Sequence, residues 1–225
     1  MNSSERTSAA EPQDLSATSK PSSLSVADES LLGLLSFSVL AAMTRLAKDG
    51  DQAPNTEYHI EHARMSARAF REFRHLEGFA EKNDVQLADL AAEYAGLFDE
   101  LDVRTRPSNW WERSVKTYVI IGIFADALAQ LNQRHQLFAT DDWLGDFGQG
   151  AWVRDHLPQL TAENPQLAAR LSLWARRVAG EAVSLLRATL FTYADLAIDP
   201  ETSDAVVAEA VDKHRVRLER VNLKA

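Results

Sequence analysis

The chain has 225 residues, 45% of them hydrophobic, with a formal net charge of −9 and no cysteine. That apolar fraction suits one well-covered core. The lack of cysteine excludes disulfides, thiolate nucleophiles and Cys-based zinc or iron–sulfur sites, and it leans towards a reducing, cytoplasmic setting. No cluster of five consecutive cations occurs, so a general nucleic-acid surface is not indicated.

Residues 1–29 hold eight serines and no aromatic residue. They bury too little surface to offset ordering entropy, so a disordered tail is expected over 1–29 and a folded domain over 30–225. No positive segment precedes an apolar core there, so no secretory signal is read. The apolar runs Leu31–Met43 and Tyr118–Leu131 are taken as core helices, not membrane spans.

A 3.6-residue period recurs and a two-residue period does not, so an all-α helical bundle is expected. The first helix opens at Ser25 with Asp28, or at Ser30, and runs to about Lys48, ended by Gly50. It is apolar all round, which marks a central helix. The second starts after Pro54-Asn55-Thr56 and reaches Lys82, with Phe70, Phe73, Leu76 and Phe79 inward and Arg64, Arg68, Arg71 and Arg74 outward. An acidic helix spans about Leu87 to Leu101, stopped before Pro107. Asn109 or Ser108 caps a third long helix, Trp110 to about Leu137, again apolar at its centre. A shorter helix covers about Asp141 to Leu157 and ends before Pro158. Asn164-Pro165 opens a long helix to about Leu196, with Leu171, Trp174, Val178, Leu186 and Leu190 among its inward residues. A last helix runs from Ser203 to about Leu223. That makes six or seven helices. The acidic segment Asp84–Asp102 and the basic end (Lys213, Arg215, Arg217, Arg220) read as solvated faces.

Helix bundles build metal sites from inward Glu and from Glu-x-x-His pairs, because residues three apart share a helix face. Four stretches carry a resemblance of that kind: "LLGLLSFSVLAAMTRLAKD", "MSARAFREFRHLEGF", "RTRPSNWWERSVKTYVIIGIFAD" and "RLSLWARRVAGEAVS". They resemble a ferritin-like family of actinobacterial proteins related to the hydroxylases of a methylthio-isopentenyl-type adenosine in tRNA. The resemblance implies a ferritin-like bundle. In intact members it implies a di-iron site with a Glu on the first helix, Glu-x-x-His on the second, acids on the third and acid-x-x-His on the fourth. Carried over, the first Glu falls on Val39, and the second-helix pair falls on Ala69 and Glu72. One acid of the third helix falls on Ile121, while another is kept as Asp126. On the fourth, the acid is kept as Asp146 and the histidine falls on Gln149.

Such a centre needs roughly four carboxylates and two imidazoles. Glu72, Asp126, Asp146 and Glu181 remain as the only acids that a metal could use, and they are expected to pair with Arg68, Arg74, Arg176 or Arg177 or to face solvent. The favoured expectation is therefore a bundle without metal or other cofactor that acts as a binding or scaffold protein. The alternative is an active non-haem di-iron hydroxylase of a modified tRNA base or small molecule, using those four acids. A third is pairing with an intact homologue or with a second copy of the chain. His59-x-x-His62, with Glu57 and Glu61, has zinc-like spacing but no third ligand. His75, His135, His156 and His214 read as surface residues. Trp110, Trp111, Trp143, Trp152 and Trp174 read as core rather than as a pocket lining.

Overall fold

A computed structural model describes residues 23–139, 145–196 and 199–224. Among these residues the fold is entirely helical: α1 (Val26–Asp51), α2 (Thr56–Lys82), α3 (Leu87–Ala92), α4 (Asp99–Arg104), α5 (Trp110–His135), α6 (Gln149–Glu163), α7 (Pro165–Thr192) and α8 (Pro200–Glu219), with one 3-10 turn at Ala194–Leu196. Most of the expected tail, residues 1–22, lies outside the description. Its end is ordered, because Ser25 opens α1 through a capping box with Asp28, ahead of residue 30.

Side-chain oxygens cap four of the helices in the same manner. Asn55, Asn109, Asn164 and Asp199 each accept the backbone N–H three residues on. Asp199-Pro200 thus begins α8 with proline in its first turn, three residues before the expected start.

Helices α1 and α2 pair along their lengths, α1 also packs on α3 and α5, and α5 packs on α1, α6, α7 and α8. This explains the all-round apolar middle of α5, where every residue from Ser114 to Phe124 is buried. Both α1 and α5 are long and apolar enough to cross a membrane by length and composition, with mean hydropathy of 1.6 and 1.3. In the fold, 83% of that stretch of α5 is buried against other helices, and 50% of that of α1.

Several local expectations are corrected. Helix α1 ends at Asp51, one residue past Gly50, and a Cβ on Gly50 would lie 3.0 Å from the Cβ of His62, so the glycine also serves close α1–α2 packing. The acidic helix divides into α3 and α4 at turns around Gly96, whose φ of 79° lies outside the right-handed region, and the Tyr94 hydroxyl there donates to the Ser30 carbonyl at 2.9 Å. The inward face of α2 is His62, Met65, Ala69, Leu76 and Ala80, and Phe70 is exposed. Helix α6 begins at Gln149, since Phe147 and Gly148 have φ of 58° and 87°, outside the right-handed region; residues 141–144 of the expected helix lie outside the described residues. It also continues through Pro158 to Glu163. The carbonyl four residues earlier belongs to exposed Arg154, where water can replace the missing amide.

Candidate functional site

Of the positions where the resemblance expects metal ligands, Val39, Ala69, Ile121 and Gln149 are buried, and Glu72, Asp126 and Asp146 are half-buried. Val39 on α1 and Ile121 on α5 line a cavity of about 40 Å³ whose walls include Ala42, Phe124, Leu128 and Phe147. Ala69 is fully buried on α2. Gln149, the first residue of α6, is also fully buried, and neither atom of its amide has a hydrogen-bond partner among the described residues. A buried amide without partners costs free energy. Gln149 and Glu72, each at the place of a histidine, are the polar residues among the replaced positions.

The four remaining acids have separate partners on separate elements. Glu72 on α2 meets His75 Nδ1 at 2.9 Å. Asp126 on α5 is bound by Arg217 of α8, which reaches it across Gly122, where a Cβ would lie 2.7 Å from the guanidinium. Burial raises the Asp126 carboxyl even so, against the pull of Arg217. Asp146 precedes α6 and accepts the amides of Gly148 and Gly150, both at 3.0 Å, so it caps that helix. It does not share a helix face with Gln149, as an acid-x-x-His pair would require. Glu181 on α7 lies 3.4 Å from Arg104 of α4. The expected partners differ: Arg74 engages Glu77, and Arg177 donates to the Arg104 carbonyl. Among the described residues, no three of His, Asp and Glu are placed to hold a metal ion. The donors present do not fit a di-iron pair.

His59 and His62 are separated by exposure. His59 is exposed, whereas His62 is fully buried between Trp110 and Trp152, with ring centroids 5.4 and 4.7 Å away. His62 Nδ1 lies 2.9 Å from the Tyr58 carbonyl, and burial keeps its pKa below the ordinary value. Glu61 accepts the Trp152 indole N–H. These rings pack mostly edge to face; Trp152 is buried as expected, whereas Trp110, Trp111 and Trp174 are half-buried and Trp111 lines a surface pocket with Asn109 and Arg170. Trp143 falls outside the described residues. Trp174 donates to the Glu112 carbonyl at 2.7 Å.

Two histidines expected at the surface are inside. His135 points Nε2 at the Leu196 carbonyl, 2.8 Å away. His214 is buried without a partner for either ring nitrogen among the described residues, and burial lowers its pKa to about 4. His156 is half-buried, with Nδ1 2.8 Å from the Trp152 carbonyl.

Sequence reasoning missed the charged cleft beside the apolar cavity. It has a volume of about 460 Å³ and is walled by the C-terminal half of α1, the α4 region and the start of α5. Arg45 grips Asp102 with two bonds of 2.7 and 2.8 Å. Lys116, only 6% exposed, lies 2.8 Å from Asp102 and donates to the Thr105 carbonyl. Burial works to raise the Asp102 carboxyl, but Arg45 and Lys116 overcome it and hold it below its ordinary value. Burial lowers Lys116 against the pull of Asp102. Asp49, 1% exposed, has Oδ2 unpartnered among the described residues and Arg113 3.8 Å from Oδ1. Burial lifts its carboxyl to about 7, with Thr117 and the three nearby cations opposing. A signal existed: Lys116 lies in the apolar helix α5, and a buried cation there needs an acid or carbonyl.

A family model described as "Ferritin-like domain, actinomycetes" matches residues 23–198. No curated protein matches the chain.

Proposed function

Because the chain belongs to the ferritin-like domain family of actinomycetes, we propose that it is a bundle of the tRNA-hydroxylase-like branch that has lost di-iron catalysis and works as a cytoplasmic binding protein. The observation that carries this reading is the cavity between α1 and α5. Val39 and Ile121 present aliphatic carbon where the resemblance expects carboxylates. Iron held between such side chains would lack the anionic donors that balance its charge. The remaining acids support the same reading, because Glu72, Asp126, Asp146 and Glu181 are engaged by His75, Arg217, the α6 amides and Arg104.

Metal analysis of the full chain, produced with added iron, tests the proposal. Iron well below one equivalent is expected. About two irons per chain would overturn it in favour of an active di-iron hydroxylase. The same reading includes association with a second copy or with an intact ferritin-like homologue through α7, where Leu173 and Phe191 are 62% and 88% exposed. Light scattering on a sizing column and co-purification with such a homologue test that part. A strict monomer that captures no homologue would remove it.

A further inference from the structure

The charged cleft holds more cation than its own acids neutralise. Arg45, Lys48, Arg106, Arg113 and Lys116 line it, against the carboxylates of Asp49, Asp99 and Asp102, in a chain whose formal net charge is −9. Asp102 takes up Arg45 and Lys116. Arg113 meets Asp49 at 3.8 Å, a carboxyl that burial keeps partly protonated at neutral pH. Lys48 on α1 and Arg106 in the α4–α5 linker are exposed, and neither side chain has an ion-pair or hydrogen-bond partner among the described residues. Cations concentrated in a cleft attract an anion.

The same cleft has a carbon wall next to these cations. Phe37, Leu40, Ala41, Thr44, Arg45 and Lys48 lie on one face of α1, so that wall passes from apolar to cationic along a single helix. Phe37 stacks on Phe98 at 6.2 Å, and the Arg45 guanidinium lies 5.2 Å from the Phe98 ring. Successive turns of α1 are about 5.4 Å apart. Bonds from Cα to Cβ tilt towards a helix N-terminus, so Lys48 leans over the turn of Thr44 and Arg45. A molecule a few ångström long therefore meets both surfaces. The cleft, at about 460 Å³, has the size of a small-molecule site and exceeds what a bare inorganic anion fills.

We infer that the cleft binds a small aryl phosphate monoester, its phosphoryl oxygens facing Lys48, Arg106 and Arg113 and its ring against Phe37, Leu40 and Phe98. A phosphate monoester carries a charge of about −1.5 to −2 at neutral pH and three acceptor oxygens. It can thus meet cations arriving from α1, the α4–α5 linker and α5, whereas a carboxylate offers two oxygens in one plane. The phenyl side chains of the wall favour a flat ring over an alkyl chain. The inference rests on the binding role proposed above and gives it a ligand class, and it does not depend on the metal content of the neighbouring cavity.

Calorimetric titration of the full chain at pH 8 with phenyl phosphate, glycerol phosphate, inorganic phosphate and benzoate tests this, with phenyltrimethylammonium as the charge control. Phenyl phosphate is expected to bind several-fold more tightly than the other three anions, and the ammonium not at all. Lys48→Gln with Arg106→Gln, both at exposed positions, weakens phenyl phosphate at least about tenfold. Asp49→Asn removes a negative charge from the cleft at this pH and tightens every anion several-fold. Circular dichroism establishes that each variant is folded. No saturation by phenyl phosphate at millimolar concentration, binding of the ammonium, or unchanged affinity in the Lys48 and Arg106 double variant would each overturn the inference. Inorganic phosphate or glycerol phosphate binding as tightly as phenyl phosphate would overturn the aryl group, and benzoate binding as tightly would overturn the phosphoryl group. Two irons per chain in a preparation that still binds phenyl phosphate would overturn the metal-free reading alone, so the two failures are distinguishable.

Discussion

Asp49 gives the sharpest energetic prediction. Its carboxyl releases a proton near pH 7 in the folded chain, because burial opposes the charge, against an ordinary value of 3.8. Between these values the folded state holds a proton that the unfolded state has lost. The contribution to stability is therefore complete below pH 3.8 and disappears as pH rises through about 7. The gap of about three pH units corresponds to roughly 4 kcal/mol, worked at about 1.4 kcal/mol per unit. Asparagine at this position keeps the shape and does not titrate. Asp49→Asn should match wild type near pH 4 and gain on it steadily up to about pH 7, then hold a constant advantage. Urea unfolding of both proteins at intervals from pH 5 to 8.5 measures the difference directly. Arg45, Arg113 and Lys116 are the charged groups facing this carboxyl, and their pull opposes the effect of burial. A difference that is flat with pH, or one that favours wild type at pH 8, would show that the cations outweigh burial and refute the reasoning.

Gln149→Met removes an unpartnered amide from the core at similar volume and should stabilise the chain by about 1–3 kcal/mol. At about 2–4 °C per kcal/mol for a chain of this size, calorimetry will register the change as a raised Tm; a lowered Tm would mean that the amide has a partner. Asp126→Ala strands the Arg217 guanidinium, which is 18% exposed, and should cost about 2 kcal/mol in urea unfolding. Glu181→Ala, at a more open contact, should leave the same curve unchanged, and equal losses in the two variants would contradict the difference in burial. Val39→Glu places a carboxyl in the apolar cavity and should destabilise by at least about 3 kcal/mol at pH 8, with partial recovery at pH 5 where the acid protonates. Full stability at pH 8 would mean that a cation or metal receives it.

The alignment of local signals explains which elements could be read from the residues. Asn55, Asn109 and Asn164 are helix starts in any context, because their side chains satisfy amides within the same turn. The apolar middles of α1 and α5 likewise require cover on all sides, which only a bundle interior provides. Elsewhere the deciding contact was distant in sequence. Gly50 reads as a helix end and lies one residue before it, yet its close approach to His62 has no local signal. Pro158 reads as a stop but is tolerated where the turn before it faces water. Glu72, Asp126, Asp146 and Glu181 could be named as acids from the sequence. Their partners could not, because Arg217 and Arg104 arrive from α8 and α4. His214 and His62 carry no local mark of burial either.

The sequence by itself determined an all-helical bundle, most of its helix starts and the apolar character of Val39, Ala69 and Ile121, since propensity, capping and side-chain chemistry act within a few residues. Only the tertiary structure decided that Val39 and Ile121 face one cavity and that Asp49, Arg45, Asp102 and Lys116 share the cleft beside it. Burial and charge pairing depend on what other helices bring into contact, and that is a property of their packing.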